Sequence, residues 1–514
     1  MKLSLLIEAI APALDPAEPG PDLSHDADRE IAAIHYRSDA VVPGGMFVAI
    51  KGLRTDGHQY ISDAIARGAA AVVVEKDVNV GADTAVIQVE NARRALALSA
   101  ARFYGNPADH LVMIGITGTN GKTTVAFLIE QMLERQHIRV GVIGTINYRY
   151  GGETFASSLT TPEAPELQQI LSEMRDAGTT HVVMEVSSHG IELDRIYGCI
   201  FDVSVFTNLS QDHLDFHGTM TAYWHAKQRL FTDYLRLNGK KAKACAVINT
   251  MDPQGREMAD RIHHCPVLTV GDTPDCSVHP TDTAFDETGI QAAIQTPAGG
   301  LAIDSKLVGR FNLENILCAA GVGLALELPV ERIADGISAF KNVPGRLERI
   351  PDAAGRHVFV DYAHTPKALE NVLETLREVN AGRLICVFGC GGDRDADKRP
   401  KMGEIAGRLS DLVGITSDNP RTEPPLEIIE AIRRGTHAVR PRQLKAETLE
   451  GGWSHPGYVV EPDRRKAIYL GIRSAKPGDT VLIAGKGHET YQIVGKRVLD
   501  FDDRKIAAQG LSLN

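Results

Sequence analysis

The sequence predicts an α/β protein of three domains, and three observations support this prediction. The length of 514 residues corresponds to about three domains of ordinary size. Short apolar runs bounded by glycines alternate with stretches of helical periodicity, as in βαβ units with parallel strands. The pattern changes near residues 104–107 and again near residues 341–345. We therefore expect domains over residues 1–105, 106–341 and 342–514.

The composition is that of an ordinary globular protein, with 43% hydrophobic and 24% charged residues. A formal net charge of −11 argues against general nucleic-acid binding, which needs a basic surface. Apolar runs fall short of the roughly 18 residues needed to cross a bilayer, so we expect no membrane partner. Residues 1–14 are apolar but include Glu8, which favours a first helix over the alternative, a secretion signal. Seven cysteines without a CxxC pair indicate reduced thiols and a cytoplasmic protein.

The first predicted domain is a small α/β unit. Residues 31–90 contain apolar segments at 46–50 and 70–75, separated by glycine and proline turns.

The second and third predicted domains each contain a largely parallel sheet. In the second, a strand at 111–116, a helix at 123–136 and a strand at 139–143 form a βαβ unit. The other predicted strands lie at 181–186, 203–207, 357–361, 384–389, 412–416 and 480–484. We expect a mostly parallel central sheet and a Rossmann-like C-terminal domain.

A glycine-rich loop joins the first central strand to the helix that follows it. Such loops turn backbone N–H groups towards phosphate oxygens at a helix N-terminus. Lys122 is placed to reach the β- and γ-phosphates, and the Thr123 hydroxyl to hold Mg²⁺. The strict Walker spacing fails by one residue, at Ile116, whereas a GxGxxG dinucleotide loop fits less well. The residues expected to bind the nucleotide here are Gly118, Thr119, Asn120, Gly121, Lys122, Thr123 and Thr124. The central domain is therefore expected to be of the P-loop type.

The loop sequence TGTNGKT resembles that of the Mur ligase and folylpolyglutamate synthetase superfamily, and the resemblance extends over nearly the whole chain. It implies a ligase that uses ATP and Mg²⁺ to form an amide bond. A carboxylate is a poor acyl donor, so ATP first converts it to an acyl phosphate, which an amine then attacks. The resemblance also implies a monomer.

Candidate metal ligands follow two central strands. Glu185 ends the strand at 181–186, where parallel sheets place ligands, and could join Thr123 on Mg²⁺. Residues 206–218 resemble the family block FTNLSxDHLDxHGT, which implies that His213 helps to hold a second Mg²⁺. Lys227 matches the lysine that these ligases carbamylate with CO₂. From the residues alone, a structural histidine and a solvated helix lysine remain alternatives.

Further positions match family blocks near the nucleotide. Asn312 and Asn315 resemble the family's nucleotide-side asparagines, and Arg346, Asp361 and His364 match neighbouring blocks. Each could instead be a helix cap, a surface ion pair or a turn residue.

The N-terminal blocks at 37–49 and 52–58 resemble the family's uridine-nucleotide domain, which favours the muramoyl branch. The substrate implied is UDP-N-acetylmuramoyl-L-Ala-D-Glu. Ser38, in the first block, is expected to contact this substrate. The residues that resemble contacts to the acyl-dipeptide are Thr160, Thr161, Ser187 and Arg195. Tyr36, Leu159 and Leu193 depart from the serine, asparagine and glutamine common there.

The third domain is expected to select the amine. Arg394, and Arg421 in the quartet Asp418, Asn419, Pro420 and Arg421, each follow a buried strand, and Gly485 to Glu489 follows a third. Arginine forks bind carboxylates and an acid binds an ammonium, so these residues suit a ligand end with both groups. meso-Diaminopimelate has such an end, whereas L-lysine lacks the carboxylate.

The quartet also resembles that of diaminopimelate-adding members of the family. The alternatives are a turn with an exposed ion pair, an L-lysine-adding ligase and, from another class, a P-loop nucleotide switch.

Overall fold

The structure is a computed structural model that describes residues 1–13, 27–52, 55–235, 244–450 and 453–512. Leu14 of the predicted first helix, and Leu53 and Arg54 of the second uridine block, lie outside the described residues. Two compact units are present: Met1–Pro280 with Gln295–Leu301 and Glu314–Ile337, and Thr281–Ile294 with Ala302–Leu313 and Ser338–Asn514. The three domain boundaries stay a prediction.

The N-terminal region contains a parallel sheet in the order β1-β2-β3-β4. Its strands and helices are α1 Leu3–Ile10, β1 Ile34–His35, β2 Met46–Val48, α2 Ile61–Ala66, β3 Ala71–Val74, β4 Ala85–Gln88 and α3 Ala92–Phe103. Apolar side chains alternate between two cores, with Met46 and Val48 in one and Phe47 in the other. The small α/β unit is confirmed.

The central region contains a mostly parallel sheet in the order β12-β11-β10-β5-β9-β6-β7-β8, of which β7 and β8 are antiparallel. Its strands are β5 Val112–Thr117, β6 Val140–Ile143, β7 Asn147–Tyr150, β8 Glu153–Ala156, β9 His181–Glu185, β10 Val203–Phe206, β11 Cys245–Asn249 and β12 Val267–Val270. Its helices are α4 Lys122–Glu134, α5 Ala164–Asp176, α6 Ser188–Glu192, α7 Leu214–His217, α8 Met220–Thr232 and α9 Pro253–Arg261.

The strand order creates a crevice at the carboxyl end of β5. The chain passes from β5 to β6, returns to β9 beside β5, and then continues to β10 on the other side of β5. Loops that leave adjacent strands on opposite sides of such a reversal open a ligand-binding crevice. The phosphate loop, the segment after Glu185 and the segment after Phe206 therefore meet there.

A sheet in the order β13-β14-β15 and two helices follow, and this sheet was not predicted from the sequence. Their bounds are β13 His279–Asp286, β14 Gly289–Thr296, β15 Gly299–Ser305, α10 Arg310–Ala325 and α11 Val330–Ser338. Buried and exposed residues alternate along β14, but its buried positions include Ala292 and Thr296. Alanine is depleted in strands, so Ala292 and Ala293 at the centre of β14 weaken the strand signal.

The C-terminal region contains a sheet in the order β16-β17-β21-β18-β19-β20, parallel except for β16. Its strands are β16 Glu348–Ile350, β17 His357–Asp361, β18 Leu384–Phe388, β19 Leu412–Ile415, β20 Gly457–Val460 and β21 Thr480–Ala484, and β22 Tyr491–Val494 and β23 Arg497–Asp500 form a separate hairpin. Its helices are α12 Pro366–Val379, α13 Lys398–Leu409, α14 Pro425–Val439, α15 Ala446–Glu450, α16 Arg464–Arg473 and α17 Asp503–Ser512. Cores on both faces of the sheet confirm the Rossmann-like prediction.

Among the described residues, no helix combines the length and the apolar character that a membrane span requires.

Candidate active site

The phosphate loop occupies the turn between β5 and α4. Gly118 (φ +146°) and Gly121 (φ +87°) both adopt positive φ, and a Cβ at either position would collide with a side chain. At Gly118 the obstacle is the Thr207 hydroxyl, and at Gly121 it is the Asn315 amide. Only glycine fits these positions, which leaves the loop's backbone open to a phosphate group.

The segment after β10 fixes the shape of this loop. The N–H of Thr119 donates to the Asn208 carbonyl (2.9 Å), and the N–H of Asn120 donates to Asn208 Oδ1 (2.9 Å). The Thr207 hydroxyl donates to the Asn120 carbonyl (2.6 Å). Asn208 thus supports the loop, a role that its place in the family block did not reveal.

Replacing Gly118 with alanine is expected to weaken ATP binding by about 10- to 100-fold. A side chain in this backbone conformation costs about 1–3 kcal/mol, and the collision with Thr207 adds to this strain. Titration calorimetry with ATP measures the effect. Gly81→Ala is the matched control, because a Cβ at Gly81 meets open space. Unchanged ATP affinity in the Gly118 variant would contradict the assignment of the loop.

Two lysine ammonium groups converge on the Gly118 carbonyl. Lys122 Nζ donates to it at 2.9 Å and Lys227 Nζ at 2.8 Å. Lys227 is 1% exposed and lies over the ring of Tyr223, so the alternative of a solvated helix lysine is wrong. Burial lowers the pKa of Lys227 well below its ordinary value; the charge of Lys122 lowers it further, and Asp212 opposes the shift.

Glu185 lies at the end of β9 and is 2% exposed. Its Oε2 accepts hydrogen bonds from the hydroxyls of Thr123 (3.1 Å) and Thr145 (2.9 Å), and its Oε1 accepts one from the Thr145 N–H (3.1 Å). Thr145 was not predicted as a site residue, although its place just after β6 is a signal that could have identified it.

Thr123 and Glu185 place a hydroxyl oxygen and a carboxylate oxygen beside the phosphate loop. Mg²⁺ prefers oxygen ligands of these kinds. The described residues contain no group of three or more histidine, cysteine or acidic side chains placed to hold a metal by themselves. Mg²⁺ in nucleotide sites is usually bound by one or two carboxylates together with phosphate oxygens.

His213 belongs to a cluster of histidine rings. It caps α7 with positive φ (+54°), and its ring packs edge-on against His189 (4.7 Å). Burial lowers the pKa of His213, Asp212 opposes this, and the charges of Lys122 and Lys227 lower it further. Burial and the neighbouring histidines lower the pKa of His189 to about 4. Imidazole is a metal ligand in its neutral form, which these shifts favour.

The residues predicted to contact the acyl-dipeptide form one network at the end of β9. The Thr161 hydroxyl donates to the Glu185 carbonyl (3.1 Å) and accepts from the Ser187 N–H (3.0 Å). Arg195 donates to the Thr161 carbonyl (3.1 Å), and Thr160 contacts the network through the Thr145 hydroxyl (3.0 Å). Ser38 is not part of this network; its carbonyl accepts the Val41 N–H within a short 3₁₀ turn (3.2 Å).

Two of the three divergent positions line one cavity of about 250 Å³. The Tyr36 hydroxyl donates to Glu166 Oε1 (3.0 Å) across this cavity, and Leu159 is 41% exposed. Leu193, the third position, accepts a hydrogen bond from Arg93 at its carbonyl (3.4 Å).

In the C-terminal region, Arg346 lies over the ring of Tyr362 (4.7 Å). Asp361 accepts the backbone N–H groups of Leu347 (2.6 Å) and Ala363 (2.7 Å), and burial raises the pKa of its carboxyl. His364 bonds the Tyr362 carbonyl (2.8 Å). Asp361 thus holds the backbone at Leu347 close to the backbone at Ala363.

The residues predicted to select the amine lie together around Gly391 and Glu489. A Cβ at Gly391 would lie 3.0 Å from an Nη atom of Arg421 and 3.9 Å from Cγ of Arg394, so the two arginines flank this glycine. Arg421 is half-buried and donates to the Gly392 carbonyl (2.8 Å). It forms no ion pair with any described residue, so the alternative of an exposed ion pair is wrong.

Within the rest of the quartet, Asn419 contacts the acidic partner Glu489. Asn419 Nδ2 donates to Glu489 Oε2 (2.8 Å), and Pro420 is buried. Asp418 lies beside Gly485, where a Cβ would be 3.0 Å from Asp418 Oδ2. Lys486 is fully buried in the same region. It was not predicted as a site residue, although it lies inside the predicted segment from Gly485 to Glu489.

Comparison with known proteins gives consistent matches along the chain. Residues 30–104 match the model of the Mur ligase family, catalytic domain, residues 116–323 that of the Mur ligase middle domain, and residues 345–487 that of the Mur ligase, glutamate ligase domain. A relative from Geobacter metallireducens, a UDP-N-acetylmuramoyl-L-alanyl-D-glutamate–2,6-diaminopimelate ligase, is 47% identical over 98% of this chain and 97% of its own.

Solved structures agree with these matches. A structure of a UDP-N-acetylmuramoyl-L-alanyl-D-glutamate–2,6-diaminopimelate ligase matches with a TM-score of 0.70 and 31% identity, over 100% of this chain and 99% of that one. Folylpolyglutamate synthase of Mycobacterium tuberculosis, complexed with ADP and AMPPCP, shares the fold with a TM-score of 0.59 and 20% identity, over 75% of this chain and 91% of that one. The chain belongs to the Mur ligase family.

Proposed function

We propose that this ligase uses ATP to join meso-diaminopimelate to the D-Glu carboxylate of UDP-N-acetylmuramoyl-L-Ala-D-Glu, a step of peptidoglycan precursor synthesis and therefore of cell-wall growth, cell shape and cell division. The choice of amine rests on one observation: Arg394 and Arg421 both lie beside Gly391. In the same region Asn419 is hydrogen-bonded to Glu489. The relatives at 40–47% identity support the choice, since their names give the same two substrates.

ATP is proposed to bind at the phosphate loop, with Lys122 on the β- and γ-phosphates. Fold relatives in complex with ADP and AMPPCP support the binding of ATP. Thr123, Glu185, His213 and a carbamylated Lys227 would hold Mg²⁺. When bound, Mg²⁺ neutralises phosphate charge and orients the phosphoryl group. Asn315, beside Gly121, and Arg346 are proposed nucleotide contacts.

The proposed reaction has two steps. A D-Glu carboxylate oxygen attacks the γ-phosphorus of ATP, the bond to the β-phosphate oxygen breaks, and ADP leaves. The amine of diaminopimelate then attacks the acyl carbon, inorganic phosphate leaves, and the nitrogen loses a proton. Lys122 stabilises charge on the transferring group, while Thr161, Ser187 and Arg195 position the acyl donor, because such catalysis is mostly positioning and electrostatics.

The surroundings of Lys227 support its proposed carbamylation. Only the neutral amine attacks CO₂, forming an N–C bond and releasing a proton to leave an anionic carbamate. The lowered pKa of Lys227 increases the neutral fraction. The carbamate replaces a buried cation with an anion that can approach Mg²⁺.

We further propose that the enzyme is a cytoplasmic monomer. Its seven cysteines are free thiols, as a reducing compartment maintains them. Size-exclusion chromatography with light scattering would measure the oligomeric state.

The first test measures phosphate release from ATP with UDP-N-acetylmuramoyl-L-Ala-D-Glu and one amine at a time. We expect diaminopimelate to stimulate release by about 10⁴-fold more than L-lysine, because lysine leaves two arginines without their carboxylate. Mass spectrometry should show the tripeptide product. Stimulation by lysine would favour the lysine-adding alternative, and release that is indifferent to every amine would favour a nucleotide switch.

A further inference from the structure

Lys486 is a buried cation in the C-terminal region that the proposed reaction does not use directly. It follows β21 and is 0% exposed. Its ammonium lies 3.0 Å from Glu489 Oε2, 3.2 Å from Asn419 Oδ1 and 3.7 Å from Asp418 Oδ1. A buried charge with three polar neighbours in the predicted amine site has either a structural role or a role in that site.

The hydrogen bonds around Lys486 orient both groups that face the amine. Asn419 Oδ1 accepts from Lys486 and from the Ile493 N–H (2.9 Å), so its Nδ2 is turned to Glu489 Oε2 (2.8 Å). Among the described residues, the hydrogen bonds to Glu489 all fall on Oε2. Oε1 is therefore left to accept a hydrogen bond from a ligand.

Lys486 is the lysine that pairs with both acids of this region, Asp418 and Glu489. Arg464, a buried cation nearby, is neutralised by Asp503, whose Oδ1 lies 2.8 Å from its Nε. Arg394 and Arg421, at Gly391, are assigned to the substrate carboxylate. The Glu489 carboxylate is thus the acid assigned to the one ammonium at the distal end of the proposed amine.

We infer that Lys486 is a positioning residue that sets the specificity of the amine site: it holds Oε2 of Glu489 and the amide of Asn419 so that one carboxylate oxygen faces the substrate ammonium. This inference rests on the proposed function. Without Lys486, the buried Asp418 and the half-buried Glu489 would be neighbouring acids without the lysine that now pairs with both. Like charges repel, so Glu489 would turn towards solvent. This change removes the ammonium acceptor.

The test compares steady-state kinetics of Lys486→Met with those of the wild type. We expect the KM for meso-diaminopimelate to rise by about 10- to 100-fold, as the loss of one hydrogen bond to a charged group predicts. The KM values for ATP and for the UDP-substrate should stay within about twofold. Lys401→Met is the matched control, because Lys401 is an exposed lysine of the same region.

A double-mutant cycle with Glu489→Gln separates positioning from a structural role. If Lys486 acts through Glu489, then Lys486→Met adds nothing to Glu489→Gln, and the double variant has the KM of the single Gln variant. Additive effects, or equal changes in all three KM values, would overturn the inference. The double variant removes the repulsion between Asp418 and Glu489 that Lys486→Met alone creates, so it keeps the test open if the single variant does not fold.

Two outcomes identify which claim has failed. If the wild type does not use diaminopimelate, the proposed function fails and this inference fails with it. If the wild type uses diaminopimelate and the KM of folded Lys486→Met is unchanged, only the inference fails. If neither the single nor the double variant folds, Lys486 is a structural residue and the inference is wrong.

Discussion

Replacing Lys227 with alanine is expected to lower the turnover of the ligase by about 100- to 1,000-fold, the usual cost of removing one group that stabilises the transition state. Lys227 is buried, and its ammonium lies 2.8 Å from the Gly118 carbonyl inside the phosphate loop. As a carbamate it would supply an anion beside the phosphate loop, where ATP and Mg²⁺ are proposed to bind. Phosphate release at saturating substrates measures the effect, and near-wild-type turnover would falsify the proposed role.

His225→Ala is the control for this variant. His225 lies on the same helix two positions earlier, but it is exposed, so its loss should leave turnover within about twofold. Lys227→Glu distinguishes the two forms of the lysine, since glutamate keeps a negative charge. Partial activity in Lys227→Glu with none in Lys227→Met would favour the carbamate. Equal loss in both would favour a role for the ammonium.

If Lys227 is carbamylated, the activity of the enzyme should depend on CO₂ and on pH. Lys227 must be neutral to react, and its pKa lies well below the ordinary value because it is buried. Acidification through this lowered pKa protonates the amine and removes the carbamate, so activity should fall towards low pH and recover when CO₂ is raised. The Lys227 variants should not respond to CO₂. A wild-type rate that is insensitive to CO₂ would contradict carbamylation.

The sequence was sufficient for most of the parallel architecture. The predicted strands at 357–361 and 480–484 coincide with β17 and β21, because both are short apolar runs with polar or glycine ends. The phosphate loop was also predictable, because Gly118 and Gly121 have positive φ angles and no room for a Cβ atom. Local pattern and local chemistry agree in these segments.

Sequence reasoning did not find the partners that shape the site. Asn208 supports Thr119 from the segment after β10, Thr145 orients Glu185, and Lys486 links Asn419 to Glu489. These contacts join segments that are distant in the chain, and threonine, asparagine and lysine are common in solvent-exposed loops. Their roles follow from strand order, which brings the loop ends together, rather than from any local pattern. The hairpin β22–β23, which carries Ile493 to Asn419, was missed for the same reason.

Replacing Arg421 with alanine is expected to lower kcat/KM for meso-diaminopimelate by about 100- to 1,000-fold, because removing one partner of a buried charge pair costs about 2–5 kcal/mol. Arg421 and Arg394 both lie beside Gly391, and one of the five N–H donors of Arg421 is used on the Gly392 carbonyl. Among the described residues its other donors have no hydrogen-bond acceptor, so they can bind the distal carboxylate. The kcat/KM for L-lysine should change little, since lysine has no carboxylate for Arg421 to bind.

The ratio of the two kcat/KM values is therefore the decisive measurement. It should fall towards one in Arg421→Ala and stay at the wild-type value in Arg434→Ala, an exposed arginine of α14 in the same region. Arg421→Lys should give an intermediate ratio, because an ammonium keeps the charge but cannot bind both carboxylate oxygens as a planar fork does. If Arg421→Ala lowers both kcat/KM values equally, Arg421 supports the loop and does not select the amine. Selection would then depend on Arg394 or on the Glu489 end of the site, which the Lys486 variants test independently.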